Sequence, residues 1–287
     1  MKALKGHVAV VTGAASGIGL AMANRFAREG MNLVLADIED APLQKAAQQL
    51  KEMGCELITL NTDVRFENQV QALADAAYAR FSAVHVLCNN AGIAAGAGAL
   101  RTHAWNSSLA DWEWTMSVNF MGVLYGVRAF TPRMIAGGEE GHIVNTASVA
   151  GLISGANPYN VSKHAVACLT EGMYKDLKSI GSKVSASVLC PGLIRTEILD
   201  AERNRPPEFG AKNTLDGLSE QARQFSQEFR RALETGYDPA QVADAVAEAI
   251  LADRYYVIPA QAHLLELIRV RMQDITEQRN PTIAKVF

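Results

Sequence analysis

The sequence predicts an α/β fold with a doubly wound parallel sheet of about seven strands, because short apolar runs alternate with longer segments of helical period. The alternation extends over the first two thirds of the 287 residues. The apolar runs are β-branched or continuously apolar, which is typical of strands buried on both faces of a parallel sheet. Strict alternation of strand and helix favours crossover connections within one sheet.

The apolar runs predict six strands, and the segments between them predict five helices. The strands are HVAVVT (7–12), NLVLAD (32–37), ELITLNT (56–62), VHVLCN (84–89), HIVNTA (142–147) and VSASVLC (184–190). The helices are expected at about 17–29, 41–53, 66–80, 109–135 and 158–180. Further on, YYVIPA (255–260) predicts a seventh strand, and a final amphipathic helix follows it to about residue 277.

Residues 195–236 interrupt this alternation. They are charged, contain two adjacent prolines and are too long for a simple connection, so we expect a mobile lid or a poorly ordered excursion. Residues 237–287 return to a helix–strand–helix pattern, in which Asp238 suits the N-cap and Pro239 the first turn. We therefore predict one domain, 1–287, with 195–236 as a substrate-binding flap.

Composition and charge argue against several classes of function. Hydrophobic residues make up 49% of the chain, charged residues 20%, and the net charge is −3, as in ordinary soluble proteins. Neither nucleic acid nor an anionic membrane is an expected partner of such a chain. No apolar run approaches the roughly 20 residues of a membrane span, and the first run, VAVV, is too short for a signal peptide. We therefore expect a cytoplasmic protein.

Cysteine and histidine spacing predicts no metal site. The four cysteines are far apart and form no CxxC pair, which argues against a disulfide framework and against zinc. His103, His142 and His164 are not at metal-ligand spacing with carboxylates.

The stretch VTGAASGIG follows the first strand and opens the first helix. Gly13, Gly17 and Gly19 allow a tight turn and close approach of the backbone, and the helix N-terminus offers free N–H groups to a pyrophosphate. A glycine-rich turn needed only for packing is the alternative. The context favours a dinucleotide site of the Rossmann type, because Asp37 ends the second strand about twenty residues further on.

Asp37 favours NAD as the cofactor. Its carboxylate can accept hydrogen bonds from the ribose hydroxyls of adenosine and would repel a 2′-phosphate. Ser16 occupies the position next to the glycines where a basic residue would favour NADP. Arg65 and Lys51 are not placed by the sequence to substitute for such a residue. NADP and a plain strand-end cap at Asp37 are the alternatives.

The stretch NPYNVSKHA (157–165) places Tyr159 and Lys163 four residues apart. Asn157 suits an N-cap and Pro158 the first helical position, so both side chains face one side of a helix. A free tyrosine has a pKa of about 10, and a nearby ammonium favours the phenolate. The pair can therefore form an acid/base centre, although a surface pair is the simpler alternative at this spacing.

These motifs, taken in order, resemble the short-chain dehydrogenase/reductase family. Each marker alone is modest, but their order and spacing over the first two thirds of the chain make coincidence untenable. The markers are TGAASGIG (12–19), Asp63-Val64, NNAG (89–92), Asn119, Ser148, Tyr159, Lys163 and Pro191-Gly192.

The resemblance implies a role for each catalytic marker. Tyr159 would exchange the hydroxyl proton, and Lys163 would lower the pKa of Tyr159 and hold the nicotinamide ribose. Ser148 would bind the substrate oxygen, and Asn119 would bind a water that links Lys163 to solvent. The simpler alternatives are a turn cap at Ser148 and a solvent-facing side chain at Asn119. The cofactor-binding residues implied are Gly13, Ser16, Gly17, Ile18, Gly19, Asp37, Ile38, Asp63, Val64, Asn90, Ala91, Gly92, Tyr159, Lys163, Pro191, Gly192, Ile194 and Thr196.

One spacing departs from the family pattern. Ser148 precedes Tyr159 by eleven residues, a slightly shorter gap than is usual in the family. A shorter loop must therefore join the fifth strand to the catalytic helix and reshape the pocket wall. The residues expected to face substrate are Ala94, Ala95, Leu152, Ile153, Asn157, Leu193 and the flap.

The sequence therefore predicts an oxidoreductase that transfers hydride between NAD and a fairly hydrophobic secondary alcohol or ketone. An NADP-dependent carbonyl reductase and a non-catalytic dinucleotide-binding sensor are the alternatives. The predicted helix at 109–135 is aromatic and apolar nearly all round, more than one buried stripe requires. Family members commonly pair through this helix and the catalytic one, so we expect a homo-oligomer, a dimer or, more in keeping with the family, a tetramer.

Overall fold

Seven parallel strands form one sheet in the computed structural model, in the order β3-β2-β1-β4-β5-β6-β7. The structure describes residues 1–94, 103–212 and 220–283. The predicted doubly wound α/β fold is confirmed. The strands are β1 Val8–Thr12, β2 Asn32–Asp37, β3 Leu57–Asn61, β4 Val86–Asn89, β5 Gly141–Thr146, β6 Val184–Leu189 and β7 Tyr256–Val257.

Helices cover both faces of the sheet and connect its strands. The α-helices are α1 Gly17–Arg28, α2 Asp40–Glu52, α3 Glu67–Phe81, α4 Leu109–Met116, α5 Gly122–Gly137, α6 Val149–Leu152, α7 Pro158–Ser179, α8 Glu220–Glu234, α9 Pro239–Leu251 and α10 Ala262–Thr276. Short 3₁₀ helices lie at Ala104–Asn106, Ile198–Asn204 and Pro207–Phe209, and a π-helical turn at Ser117–Met121. None of the described helices is both long and apolar enough to cross a membrane.

Two element predictions need correction. The single helix expected at 109–135 is α4, the π-helical turn and α5 in succession. The seventh strand shrinks from 255–260 to Tyr256–Val257, and Pro259, which has no N–H to donate, follows it closely.

The core has two halves, one on each face of the sheet. Because side chains alternate along a strand, Val11 packs on the face covered by α1 and α9, whereas Val10 packs on the opposite face with α3 and α5. Phe26 of α1 and Phe130 of α5 are fully buried in these respective halves. The chain moves outward from β1 through β2 to β3 and then returns to place β4 on the other side of β1. Strands β1 and β4 therefore flank the switch point at which ligands bind in such sheets.

Two helices start as their sequences predict. Asn157 is extended (φ −119°, ψ 160°), and its Oδ1 accepts a hydrogen bond from the Asn160 N–H at 2.9 Å, with Pro158 as the first helical residue. Asp238 caps α9 through the Ala240 N–H, and Gln241 completes the capping box. Both starts bring an extended backbone into a proline, as steric restriction before proline requires.

The two ends of the flap are hydrogen-bonded to each other. The Tyr237 N–H donates to the Leu193 carbonyl at 3.0 Å, and the Arg195 N–H donates to the Tyr237 carbonyl at 3.0 Å. An ion pair joins the Arg195 and Asp238 side chains beside this bridge. Residues 213–219 of the flap lie outside the described residues.

The first half of the flap, residues 198–209, is an anchored segment that we call the strap. Arg205 is buried, and its Nη1 lies 2.6 Å from Asp111 of α4 and 3.3 Å from Glu202. The same guanidinium donates to the Phe209 carbonyl and lies over the Trp114 ring. The strap is therefore not the poorly ordered excursion that was one of the two alternatives, because a buried ion pair holds it to α4. The other alternative, a lid, stays a prediction.

We expect the variant Arg205→Met to lower the free energy of unfolding by about 3 kcal/mol, because it removes the guanidinium from two partly buried carboxylates. Urea unfolding followed by circular dichroism measures this. The matched control is Arg80→Met, which breaks the exposed pair with Glu56 and should cost about 0.5 kcal/mol or less. Equal losses in the two variants would contradict an anchoring role for Arg205.

Candidate active site

A cavity of about 890 Å³ opens at the carboxyl ends of the strands. It begins at the glycine turn after β1, passes the ends of β4 and β5, and reaches the strap and α8. Nearly all of the predicted cofactor residues line it; Gly19 instead packs beneath the turn, with no room for a side chain beside the Gly13 carbonyl. The sheet thus brings together residues that are far apart in sequence.

The glycine turn forms a cradle at one end of the cavity. Gly13 has φ +67°, and a Cβ there would lie 2.9 Å from the Ala91 Cα, so a side chain is excluded by both conformation and space. Ser16 is the N-cap residue of α1, and its side chain accepts no hydrogen bond from the N–H groups of the first turn. The first-turn N–H groups and the positive end of α1 therefore face the cavity, as a pyrophosphate requires.

Asp37 joins the glycine turn to the end of β2. Its Oδ2 accepts the Ala15 N–H at 2.9 Å, and its Oδ1 accepts the Glu39 N–H at 3.0 Å. Burial raises the pKa of Asp37, and these hydrogen bonds act in the opposite direction. The carboxylate lines the cavity beside Ile38, so capping the strand end and facing a ribose are compatible.

Arg65 also lines this end of the cavity, although its sequence position did not place it there. Its guanidinium is engaged by Asp63, with Nη2 2.6 Å from Oδ2, and by Glu208, with Nη1 2.8 Å from Oε1. The charge of Arg65 is therefore already compensated within the protein.

Sequence reasoning missed Thr12, which ties β1 to the turn after β4. Its Oγ1 accepts hydrogen bonds from the N–H groups of Asn90 and Ala91 at 2.9 and 3.0 Å. The Asn90 Nδ2 returns a hydrogen bond to the Thr12 carbonyl at 3.0 Å. A threonine directly before the first glycine of the turn was the available signal.

Tyr159 and Lys163 lie in the first two turns of α7 and both line the cavity. The Lys163 Nζ is 5.8 Å from the centre of the Tyr159 ring and donates to the Thr146 carbonyl at 2.9 Å. Burial lowers the pKa of Lys163 to about 8. Burial also raises the pKa of Tyr159, and a side-chain hydrogen bond with Ser148 lowers it. Burial therefore disfavours the charged form of both side chains.

Ser148 both caps a helix and contacts Tyr159. Its Oγ accepts the Ala150 N–H at 3.1 Å as the N-cap of α6. The eleven-residue gap is accommodated because this one-turn helix packs directly on α7, where the Asn160 Nδ2 donates to the Ala150 carbonyl at 2.8 Å. The short connection therefore does not separate Ser148 from Tyr159.

Asn119 is fully buried in the π-helical turn, so the alternative of a solvent-facing side chain is wrong. Its Oδ1 accepts the Ile93 N–H at 2.8 Å, and its Nδ2 donates to the Ile93 carbonyl at 2.9 Å and to Ser162 at 3.1 Å. A Cβ at Gly92 would lie 3.1 Å from the Lys163 Nζ and 3.3 Å from the Asn119 Oδ1. Gly92 therefore allows Asn119 and Lys163 to converge behind the cavity wall.

The opposite end of the cavity is apolar, and part of it was missed. Of the residues expected to face substrate, Ala94, Ile153, Asn157 and Leu193 line the cavity, whereas Leu152 packs with Val166 and Val188 in the core. Ala95 lies outside the described residues. Sequence reasoning missed Trp105, Trp114 and Leu264, which also line the cavity. Phe225, Phe229 and Leu233 line it as well, and they lie in the flap, which was expected to face substrate.

Comparison with known proteins identifies the family of this chain. The family model of the short chain dehydrogenases matches residues 7–207. The chain belongs to the short-chain dehydrogenase/reductase family. A solved family member from Burkholderia phymatum in complex with NAD is 43% identical, with a TM-score of 0.92 over the whole of both chains.

Two curated relatives are also similar to this chain. A CLA biosynthesis dehydrogenase/reductase of Lactiplantibacillus plantarum is 32% identical over 286 residues, which are 99% of this chain and 98% of that protein. A 1-deoxy-11-beta-hydroxypentalenate dehydrogenase of Streptomyces exfoliatus is 36% identical over 198 residues, 68% of this chain and 70% of that protein. The resemblance inferred from the motifs is therefore confirmed, and the chain is an oxidoreductase of this family.

We expect the buried amine of Lys163 to make stability depend on pH. Its pKa of about 8 in the folded protein lies below the ordinary 10.5, so the unfolded chain binds more protons between these values. The stability of the wild type should therefore rise as the pH increases from about 8 to about 10.5.

The variant Lys163→Met removes this dependence. The measured quantity is the free energy of unfolding of the variant minus that of the wild type, from urea unfolding. We expect this difference to be about 3 kcal/mol more positive at pH 7 than at pH 10.5. The variant Lys51→Met, at an exposed site on α2, is the control and should show no such change. A difference between Lys163→Met and wild type that is independent of pH would contradict the assigned burial of charge.

Proposed function

We propose that the protein is an NAD-dependent dehydrogenase or reductase that transfers hydride between NAD and a fairly hydrophobic secondary alcohol or ketone. The observation that carries this proposal is the shared cavity. The glycine turn and Asp37 line one end, and Ser148, Tyr159 and Lys163 line its wall further along. The same cavity can therefore hold a dinucleotide and present a carbinol to an acid/base group.

The cofactor site supports NAD over NADP. The Gly13 cradle and the first turn of α1 suit the pyrophosphate, and Asp37 offers its carboxylate to the adenosine ribose. Asp63 and Val64 are assigned to the adenine, and Ile194 and Thr196 to the nicotinamide carboxamide. The NAD complex of the Burkholderia phymatum relative supports the same choice. The nicotinamide supplies the hydride acceptor or donor when it is bound.

Tyr159 is assigned the proton transfer. In oxidation its phenolate oxygen takes the hydroxyl proton, and in reduction its phenol returns a proton to the carbonyl oxygen. Burial alone raises the pKa of Tyr159, so the site needs positive charge to favour the phenolate, and Lys163 one turn away supplies it. Ser148 is assigned to hold the substrate oxygen, and its hydrogen bond with Tyr159 supports this role.

Asn119 is assigned to the relay behind Lys163. Both hydrogens of its amide are used by Ile93 and Ser162, which fixes the orientation of the side chain. Its Oδ1 accepts one hydrogen bond from Ile93 and has a second lone pair, which can accept from a water that also contacts the Lys163 ammonium.

The apolar end of the cavity supports a hydrophobic substrate. Trp105, Phe225 and Phe229 line the cavity, and aromatic side chains bind apolar and aromatic groups through large contact areas. The Streptomyces exfoliatus relative, a dehydrogenase of 1-deoxy-11-beta-hydroxypentalenate, supports a substrate that carries a hydroxyl group. The convergence of Ser148, Tyr159 and Lys163 on the cavity disfavours a non-catalytic sensor, which has no use for a proton-transfer pair. A cytoplasmic location remains our prediction from the sequence.

We expect Tyr159→Phe to lower kcat by about 10³-fold on any secondary alcohol that the wild type oxidises, because it removes the proton acceptor. The assay is NADH formation at alkaline pH over a panel of aliphatic and aromatic secondary alcohols. The matched control is Tyr78→Phe, which removes a phenol hydroxyl from α3 outside the cavity and should leave kcat within about twofold. Wild-type turnover in Tyr159→Phe would overturn the mechanism.

We also propose a homo-oligomer, with a tetramer favoured over a dimer. Large apolar side chains remain partly exposed where α4 meets α5, namely Met116, Phe120, Met121, Leu124 and Tyr125. An apolar surface of this kind is typical of subunit interfaces.

Size-exclusion chromatography with light scattering should give four times the chain mass of 30.9 kDa. Leu124→Asp should shift the species to lower mass because a charge is desolvated at the interface. Met53→Asp, at an exposed apolar position at the end of α2, is the control and should leave the mass unchanged. A wild-type protein that is monomeric at micromolar concentration would contradict the proposal.

A further inference from the structure

Two arginines line the adenosine end of the cavity, which we define by Asp37 and Val64. Arg65 follows β3, and Arg203 comes from the strap. A cation beside the adenosine ribose ordinarily accommodates a 2′-phosphate, and so favours NADP. The proposed preference for NAD therefore requires that both guanidinium groups be withheld from the ligand.

Glu39 engages Arg203 through both of its carboxylate oxygens. The Arg203 Nε lies 2.9 Å from Oε1, and its Nη2 lies 2.7 Å from Oε2, the parallel two-bond geometry of a strong ion pair. The hydrogen bond from Arg203 lowers the pKa of Glu39, so this carboxylate is ionised at neutral pH. Glu39 follows Asp37 by two residues, donates its N–H to the Asp37 Oδ1 at 3.0 Å and lines the same end of the cavity.

The strap holds Arg203 in place. Arg205, two residues further on, is buried against Asp111, so the backbone that carries Arg203 is anchored to α4. The Lys212 ammonium donates to the Arg203 carbonyl at 3.1 Å and adds a second restraint. Arg203 is therefore held at the cavity wall. Its guanidinium can contact a ligand only when Glu39 does not occupy it.

Arg65 differs from Arg203 because two carboxylates hold it. Asp63 lies two residues away in the chain, and Glu208 reaches it from the strap. Loss of one carboxylate leaves the other in place. For Arg203 the next carboxylate is Glu197, 3.7 Å away and largely exposed, where a charge pair contributes little. Glu39 is thus the group whose removal would free a cation at this end.

We propose that Glu39 is a cofactor-specificity residue, which acts with Asp37 by occupying the guanidinium of Arg203 and thereby denying a 2′-phosphate its binding partner. This inference rests on the proposed use of NAD. It assigns part of the nucleotide site to the flap, since Arg203 lies 164 residues from Glu39 in the sequence. Replacing Glu39 by glutamine should both reduce repulsion of the phosphate and release at least one of the two Arg203 N–H donors, because only one acceptor oxygen remains.

The test compares two ligands that differ only by the 2′-phosphate, 5′-AMP and 2′,5′-ADP, by isothermal titration calorimetry, so no turnover is needed. Glu39→Gln should tighten binding of 2′,5′-ADP about tenfold and change that of 5′-AMP by less than about twofold, as expected for a gained charge-assisted hydrogen bond. The double variant Glu39→Gln with Arg203→Gln should lose this gain. Glu208→Gln removes an equal charge but leaves Arg65 with Asp63, so it should shift the ratio by less than about twofold.

Two results would overturn the inference. One is a Glu39→Gln variant whose ratio of affinities for the two ligands equals that of the wild type. The other is a double variant that keeps the whole gain, since Arg203 would then not be the partner. Failure of the proposed function looks different, because it appears in the wild type as affinity for 2′,5′-ADP equal to or above that for 5′-AMP.

Discussion

The hydrogen bonds of Thr12 hold the two turns on which the site depends. One hydroxyl at the end of β1 accepts the N–H groups of Asn90 and Ala91, which follow β4. Because β1 and β4 flank the switch point of the sheet, this contact sets the glycine cradle directly against the chain that leads to Gly92. Gly92 then leaves room for the Lys163 ammonium. The proposed phosphate site and the proposed acid/base pair are therefore connected through the same short segment, Asn90 to Gly92.

Burial gives the site its chemistry. Lys163 is charged in a place where desolvation lowers its pKa to about 8, and the same desolvation raises the pKa of Tyr159. Charges interact more strongly in such an environment than in water, so a positive group placed near Tyr159 has a large effect on its proton affinity. The cost is a buried amine held by one carbonyl, that of Thr146. The proposed proton transfer would give this buried charge a function.

The sequence was sufficient for the features that local patterns determine. Strand runs, the glycine turn, the N-cap at Asn157 and the helical spacing of Tyr159 and Lys163 depend on near neighbours, and each was predicted. The π-helical turn around Asn119 was not, because it is maintained by hydrogen bonds to Ile93, 26 residues away. The anchoring of the strap was not predicted for a similar reason. Charged residues predict exposure on average, yet Arg205 is buried by Asp111, 94 residues distant.

The two ends of the cavity use the flap for opposite purposes. At the adenosine end the strap brings the cation of Arg203, and Glu39 neutralises it before a ligand can. At the other end α8 contributes Phe225 and Phe229, which add apolar surface beside Tyr159. Arg203 is the flap arginine that lines the cavity, and because Glu39 pairs with it, this strongly charged segment adds little uncompensated charge there. Arg230 of α8 pairs with Asp200 of the strap at 2.8 Å, so the segment that Arg205 anchors to α4 also contacts the helix that carries the two phenylalanines.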